Sequence, residues 1–256
     1  MNIAPLEKHA RNVRRSILRM VTEAGTSHIG SAFSCVDLMI FIYGYLIETA
    51  QEIGSTIPKF VLSKGHAATA LYATLAEFGY FDESELRTYC QVGSRLGGHL
   101  LRNTLPGIEL ATGSLGHGLP MALGMARGLI NTQIITLLGD GECDEGSVWE
   151  AAMLAARLEQ NNLTVLVDFN GLQGYPMYPA KHDIGAMFAA CGWEIARIDG
   201  HDFFDMQQNI TLRSRPLAVI ARTIKGKGVS FMEDELSWHY RSPKPDEYEK
   251  ALAELA

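Results

Sequence analysis

The chain has 256 residues, of which 47% are hydrophobic and 20% are charged, and its formal net charge at pH 7 is -7. This size and composition allow a full hydrophobic core and exclude disordered, collagen-like and disulfide-dependent chains. An acidic chain without a block of like charges also disfavours a nucleic-acid partner, which would need a basic face.

The cysteines and the apolar runs indicate the cell compartment in which we expect the protein. The cysteines are scattered and form no CxxC pair, so we expect reduced thiols; they are Cys35, Cys90, Cys143 and Cys191. The longest apolar run, 35–47, contains Asp37 and is too short to cross a bilayer. Residues 1–25 carry charges throughout, unlike a secretory signal. These features predict a cytoplasmic protein without membrane contact.

The first half of the chain is predicted to be mainly helical. Apolar residues recur every three or four positions over 6–24, which predicts an amphipathic helix. A second helix over 35–48 is apolar almost all round and should be buried. The elements that follow are a strand at 60–63, helices at 66–78 and 82–90, a long loop at 91–112 and a helix at 115–129.

From residue 134 onward, strands and helices alternate. The predicted strands are 134–138, 163–168, 193–198 and 217–222, and the predicted helices are 146–160, 182–191, 203–212 and 246–255. Continuous apolar strands separated by helices indicate the α/β class, with a mostly parallel central sheet covered by helices on both faces. Because no repeat or linker interrupts residues 1–256, we expect a single domain.

Ligands bind beyond the carboxyl ends of the strands in such a sheet, which directs attention to the loop GDG at 139–141. Its glycines let the backbone approach an anion, and the helix starting at Gly146 directs amides toward negative charge. Asn170 follows the next strand, thirty residues after Asp140. Oxygen ligands of this kind suit Mg²⁺ or Ca²⁺ held together with a phosphorylated ligand. On its own, GDG could equally be a turn in which Asp140 caps a helix.

The spacing of GDG and Asn170 resembles the thiamine diphosphate motif, and GDGECDEGSVWEA resembles its transketolase form. Further segments occur in the order of that family: FVLSKGHAATALYATLAEFGYF, LGGH, ELATGSLGHGLPMALGMA, DGH, IKGKG and SWH. The resemblance extends from near the N-terminus to residue 239. It implies the thiamine diphosphate-binding fold, with thiamine diphosphate and Mg²⁺ as cofactors and Ca²⁺ as an alternative ion.

The resemblance also implies roles for individual residues. The side chains of Asp140 and Asn170 and the carbonyl of Leu172 match the metal ligands. The positions that match cofactor contacts are His66, Gly113, Ser114, Leu115, Gly141, Glu145, Asn170 and His239. Catalytic positions are matched by His28, His66, His99 and His239, and imidazole suits proton transfer near neutral pH. The family counterpart of Glu145 faces a dimer partner.

The chain departs from the family at a few positions. Ile29 and Leu100 replace prolines, His117 replaces a glutamine, and Phe169 stands where the family has a second asparagine. No metal ligand is lost, but His117 and Leu100 bear on sugar preference. Among the remaining polar groups, Cys143 is expected to be a packing thiol and His201 to be structural. Lys225 and Lys227 are expected either to contact an anion or to be solvated.

In transketolases the cofactor carries a two-carbon ketol unit from a ketose to an aldose, and a pyrimidine-binding domain completes the site. The resemblance covers only the diphosphate-binding part, which implies the N-terminal subunit of a split transketolase. We expect it to work with a separate C-terminal subunit in an α₂β₂ assembly and to be inactive alone.

Three alternatives stay open. They are another thiamine diphosphate enzyme, such as the decarboxylating component of a 2-oxo acid dehydrogenase or a deoxyxylulose phosphate synthase, a non-catalytic cofactor-binding module, and, least favoured, a dinucleotide-binding domain. SKGH and SWH favour transketolase over the first, and no GxGxxG follows the first strand. The sequence leaves the sugars undetermined, including whether they carry phosphate or sulfonate.

Overall fold

A computed structural model describes residues 4–174 and 182–256, and a parallel sheet lies at its centre. The strands are β1 Lys59–Leu62, β2 Ile134–Gly139, β3 Leu163–Phe169, β4 Glu194–Asp199 and β5 Leu217–Arg222. They form a five-stranded sheet in the order β1-β2-β3-β5-β4, and all neighbours are parallel. The predicted α/β class and parallel sheet are confirmed.

Helices cover both faces of this sheet. They are α1 Ala4–Ala24, α2 Ile29–Ser34, α3 Val36–Phe41, α4 Glu48–Glu52, α5 Ala68–Glu77, α6 Gly118–Gly128, α7 Gly146–Arg157, α8 Ile184–Ala190, α9 Phe203–Asn209 and α10 Pro245–Glu254. Because strand side chains alternate between faces, Ile135 and Leu137 of β2 pack with α1, α3 and α5, whereas Ile134 and Leu138 pack with α6, α7 and α8. The sheet therefore separates two hydrophobic cores.

The predicted helix over 35–48 is wrong in its boundaries. Helical structure begins at Ile29 and continues to Glu52, interrupted at Cys35 and passing through a π-helical segment, Ile42–Ile47. A Cβ at Gly44 would lie 2.8 Å from Phe78 Cζ and 2.9 Å from Leu6 Cδ2, so close packing occurs within the π-helical turn. A segment that is buried on all sides has no polar face, and hydrophobic periodicity therefore cannot mark its ends.

Two other boundaries shift near the carboxyl end of the sheet. The helix predicted at 115–129 begins at Gly118, because Gly116 has a φ of 80° and cannot be helical. The tail after Thr223, predicted to be loop-like until residue 246, contains a short 3₁₀ turn, Leu236–His239. Both differences concern segments that contribute to the site described next.

Two of the expectations concern the helices and the cysteines, namely no membrane span and reduced thiols. Within residues 4–174 and 182–256, no helix has the length and apolarity needed to cross a membrane. The four cysteines are free, as expected. Cys143 is buried, and burial raises the pKa of its thiol well above the usual value, which agrees with a packing role.

Candidate active site

The loops at the carboxyl ends of β1, β2 and β3 surround a cavity of about 420 Å³. The predicted site residues that line it are His28, His66, His99, Gly113, Leu115, Asp140, Gly141, Glu145, Asn170, Leu172 and His239. Ser114 is exposed and is not among the lining residues. Segments from residue 28 to residue 239 thus meet at one place, where the parallel-sheet rule locates ligands.

Asp140 and the loop 170–172 are held against each other. Gly139 pairs with Asp168 in the sheet, so the segments that follow leave β2 and β3 side by side. The backbone N–H of Gly171 donates to Asp140 Oδ2 at 2.6 Å, and that of Gly141 donates to Oδ1 at 2.7 Å. The expectation that Asp140 and Asn170 face one cavity agrees with this geometry.

The oxygen atoms at this corner fit a divalent cation. Asp140 is only 5% exposed, and burial together with the nearby Asp168 raises the pKa of its carboxyl group. A cation would favour the ionised form. Within the described residues, no three His, Cys, Asp or Glu side chains are grouped to hold a metal. An ion here would therefore rely on one carboxylate, the Asn170 amide oxygen, the Leu172 carbonyl and oxygens of a bound ligand, a set that suits Mg²⁺ or Ca²⁺.

The loop after β1 and the loop before α6 are in direct contact. A Cβ on Gly65 would lie 2.7 Å from the backbone nitrogen of Gly113, and one on Gly118 would lie 2.2 Å from Ser63 Oγ. The buried carboxylate of Glu142 joins these loops to β2, because it accepts hydrogen bonds from the Ser63 hydroxyl, from Gly116 N at 2.9 Å and from Gly139 N at 3.1 Å. Glu142 therefore fixes the relative positions of three cavity walls.

A buried ion pair contributes to the cavity wall through Lys64. The ammonium of Lys64 contacts the Asp168 carboxylate and donates to the Ser31 carbonyl at 3.0 Å. Burial alone would discharge both groups, but the proximity of Lys64 and Asp168 outweighs it, raising the pKa of the lysine and lowering that of the aspartate. Asp168 also accepts hydrogen bonds from Ser34 at 2.6 Å and from the Thr223 hydroxyl.

Three of the predicted histidines form a cluster. The ring centroids of His28 and His66 are 5.4 Å apart, those of His28 and His239 are 5.1 Å apart, and those of His66 and His239 are 5.9 Å apart. Burial lowers the pKa of each, with nearby lysines and histidines acting in the same direction, and the pKa of His239 falls to about 4. These imidazoles are therefore neutral near pH 7. His99 is exposed at the rim.

The glycine-rich loop after β5, residues 225–228, contains two lysines that differ in burial and contacts. Lys225 is 1% exposed, lines the cavity, and its Nζ lies 2.7 Å from the Leu172 carbonyl oxygen and 3.0 Å from His239 Nδ1. Burial, reinforced by the ammonium of Lys64, lowers the pKa of Lys225 to about 8. Lys227 instead lies 3.6 Å from Glu233 and is partly exposed. Of the two, Lys225 is the one placed to contact an anion in the cavity.

Sequence reasoning did not single out Lys64, Glu142 or Asp168. Lys64 stands in the loop after the first strand, and Asp168 is a charged residue at the end of an otherwise apolar buried strand. Both positions could have indicated a buried ion pair, because a buried charge requires a partner of opposite charge. Glu142 gives no comparable signal, since its contacts to three loops depend on the tertiary fold.

Comparisons with known proteins agree with this geometry. Residues 7–254 match the family model of the transketolase thiamine diphosphate binding domain. One subunit of the apulose-4-phosphate transketolase of Actinobacillus succinogenes is 39% identical, covering 98% of this chain and 95% of that protein. A 6-deoxy-6-sulfo-D-fructose transketolase subunit of a Clostridium species is 34% identical, covering 98% of this chain and 96% of that one.

A solved structure extends the comparison. The crystal structure of a transketolase from Campylobacter jejuni superimposes with a TM-score of 0.88 at 26% identity and covers 100% of this chain. The chain spans 43% of the length of that transketolase, whereas it spans nearly all of the two subunits above.

Proposed function

The chain belongs to the transketolase family, and on this premise we propose that it is the cofactor-binding N-terminal subunit of a split transketolase that transfers a two-carbon ketol unit. The observation that carries the proposal is the cavity at the ends of β1 to β3, where nearly every residue expected from the family motifs comes together. Relatives that match it over nearly their whole length are named as transketolase subunits.

Several groups of the cavity fit thiamine diphosphate and Mg²⁺. We assign Asp140, Asn170 and the Leu172 carbonyl to the ion, with Ca²⁺ as an alternative. The groups assigned to the cofactor are His66, Gly113, Leu115, Gly141, Glu145, Asn170 and His239, together with Ser114 at the exposed edge and Lys225 from the geometry. When bound, the cofactor supplies the nucleophilic carbon that carries the ketol unit.

The remaining chemistry consists of binding and proton transfer by this chain. His28, His66 and His239 are neutral near pH 7, so each can accept a proton from a sugar hydroxyl or donate its ring N–H. His99 reaches the same space from the rim. Lys225 and the loop amides favour the negatively charged diphosphate end of the cofactor. The histidine cluster is then left to contact the sugar.

We propose that a separate C-terminal subunit with a pyrimidine-binding domain completes the site in an α₂β₂ assembly in the cytoplasm. Residues 1–256 would then form a single domain. The two subunit relatives carry the names of sugars with a phosphate or a sulfonate group. We therefore propose a ketose donor with an anionic end group, recognised largely by the partner subunit.

The test measures ketol transfer by the chain mixed with its partner subunit, thiamine diphosphate and Mg²⁺. Donors with phosphate, with sulfonate and without a charge are compared. We expect Asp140→Asn to reduce transfer by at least about 10–100-fold, the loss that follows mutation of even an outer-shell partner of a metal site, and to remove Mg²⁺-dependent cofactor binding in calorimetry. Asp246→Asn, an exposed change on α10, is the matched control.

Two outcomes would contradict the proposal. Decarboxylation of 2-oxo acids without ketol transfer would assign the chain to another thiamine diphosphate enzyme. Cofactor binding without turnover of any donor in the assembled complex would indicate a non-catalytic module.

A further inference from the structure

The turn DGH, residues 199–201, lies outside the cavity lining and has no part in the mechanism above. It follows β4 and packs on the chain leaving β5. The N–H of Gly200 donates to the Arg222 carbonyl at 2.7 Å, and a Cβ on Gly200 would lie 2.5 Å from Thr223 Cγ2. Only a glycine allows the turn to approach residues 222–224 this closely.

His201 uses both ring nitrogens between fixed partners. Its Nδ1 lies 2.6 Å from Asp37 Oδ2, and its Nε2 accepts the backbone N–H of Ile224 at 2.9 Å. A carboxylate can only accept and an amide N–H can only donate, so both contacts require the neutral ring with its proton on Nδ1.

Asp37 is itself held in place. The Arg14 guanidinium donates to both of its carboxylate oxygens, at 3.0 Å and 2.7 Å, and both side chains are buried. Such bidentate pairs have well-defined geometry. The carboxylate on α3 therefore fixes the orientation of the His201 ring.

The residue after Ile224 is Lys225, whose Nζ contacts the Leu172 carbonyl and His239. On the other side of the lysine, Gly226 N donates to the Gly30 carbonyl at 3.0 Å. The carbonyl of Lys225 also accepts the Asp234 N–H at 2.9 Å. The backbone of Lys225 is thus held on both sides, and the hydrogen bond to His201 is the support on its N-terminal side.

We propose that His201 is a positioning residue that, through the N–H of Ile224, holds the Lys225 loop so that its ammonium points into the cavity. The part of this inference that concerns ligand affinity rests on the proposed function. The part that concerns the loop is independent of it.

The first arm of the test measures amide hydrogen exchange in the segment 222–228 of the full chain without cofactor. His201→Phe keeps a ring but removes both polar contacts, and we expect exchange in this segment to accelerate about tenfold, as for the loss of one hydrogen bond. His201→Gln has an amide that can donate to Asp37 and accept from Ile224, so it should restore much of the protection even if the phenylalanine variant fails to fold. Unchanged protection in folded His201→Phe, or no restoration by His201→Gln, would overturn the proposal.

The second arm measures the Kd of thiamine diphosphate with Mg²⁺ in the complex with the partner subunit. We expect His201→Phe to weaken binding about tenfold when Lys225 is present and to have little effect in a Lys225→Met background. An equal loss in both backgrounds would mean that His201 acts on overall stability, which contradicts positioning. Failure of the unchanged protein to bind the cofactor would reject the proposed function, while the exchange arm would still decide the role of His201.

Discussion

The two buried lysines of the cavity differ in whether their charge is neutralised by a partner. Lys64 is neutralised by Asp168, whereas the two contacts of the Lys225 ammonium, a carbonyl and an imidazole, carry no charge near pH 7. Lys225 can therefore offer its charge to an anionic ligand. The burial that lowers its pKa to about 8 also makes an added negative charge favourable to its protonated form.

His239 should make the stability of the chain depend on pH. A histidine with a lowered pKa binds fewer protons in the folded chain than in the unfolded one. Its contribution to stability is therefore complete above the unfolded pKa of about 6.5 and is lost as the pH falls toward the folded value of about 4.

We expect His239→Asn to reduce the fall in the free energy of unfolding between pH 7.5 and pH 5 by about 1 kcal/mol, allowing for the partial exposure of the ring. Urea denaturation of the full chain at both pH values measures this difference. His182→Asn, an exposed change, is the control. An identical pH dependence in all three proteins would contradict the prediction.

The motifs make many residues that line the cavity predictable from sequence, but not Glu142, which lines it and joins its walls. Asp140 and Asn170 could be placed together because the carboxyl ends of parallel strands share one edge. The contacts of Glu142 to Ser63, Gly116 and Gly139 join segments that lie far apart in the chain. No local pattern indicates such a contact.

The helices and strands that could be predicted from sequence are those with a regular pattern of buried residues. The central strands β2, β3 and β5 are nearly continuous apolar runs, unlike the edge strand β4, and the prediction for β5 has the observed bounds, Leu217–Arg222. Residues 29–43 are buried throughout, so sequence periodicity could not predict the break at Cys35 or the start of the π-helical turn at Ile42.

Helix α6 contains two glycines whose surroundings differ. A Cβ on Gly118 would lie 2.2 Å from Ser63 Oγ and 2.6 Å from Ser63 Cα, whereas a Cβ on Gly124 would meet nothing within 4 Å. We expect Gly118→Ala to destabilise the chain by about 1–3 kcal/mol, because the helix must move away from the loop after β1. We expect Gly124→Ala to stabilise it by up to about 1 kcal/mol through helix propensity.

Urea denaturation measures both values. Calorimetry of the assembled complex should in addition show weaker cofactor binding for Gly118→Ala alone, since Ser63 is joined through Glu142 to the loop at Gly116. Equal stability of the two variants would mean that the contact between α6 and the loop after β1 has no energetic role.

At the scale of the whole molecule, one side of the cavity lies open. Glu145 and His99 line it and are exposed, and apolar side chains are exposed on α7, the helix that begins directly after Glu145, with Met153 at 55% and Leu154 at 47%. Exposed apolar side chains on a helix beside a site are typical of a surface covered by a partner. The chain also spans only 43% of the length of the Campylobacter jejuni transketolase.

We therefore expect the purified chain alone, with thiamine diphosphate, Mg²⁺, a ketose donor and an aldose acceptor, to give no measurable ketol transfer. The C-terminal subunit should restore transfer and should saturate at one copy per chain, because the proposed α₂β₂ assembly supplies one pyrimidine-binding domain to each cavity. Titration of activity against added subunit, with the molar mass of the complex from sedimentation, measures both. Met153→Lys should weaken assembly without changing the fold of the free chain, and Glu249→Lys on exposed α10 should not. Robust turnover by the chain alone would show that its own cavity is already complete.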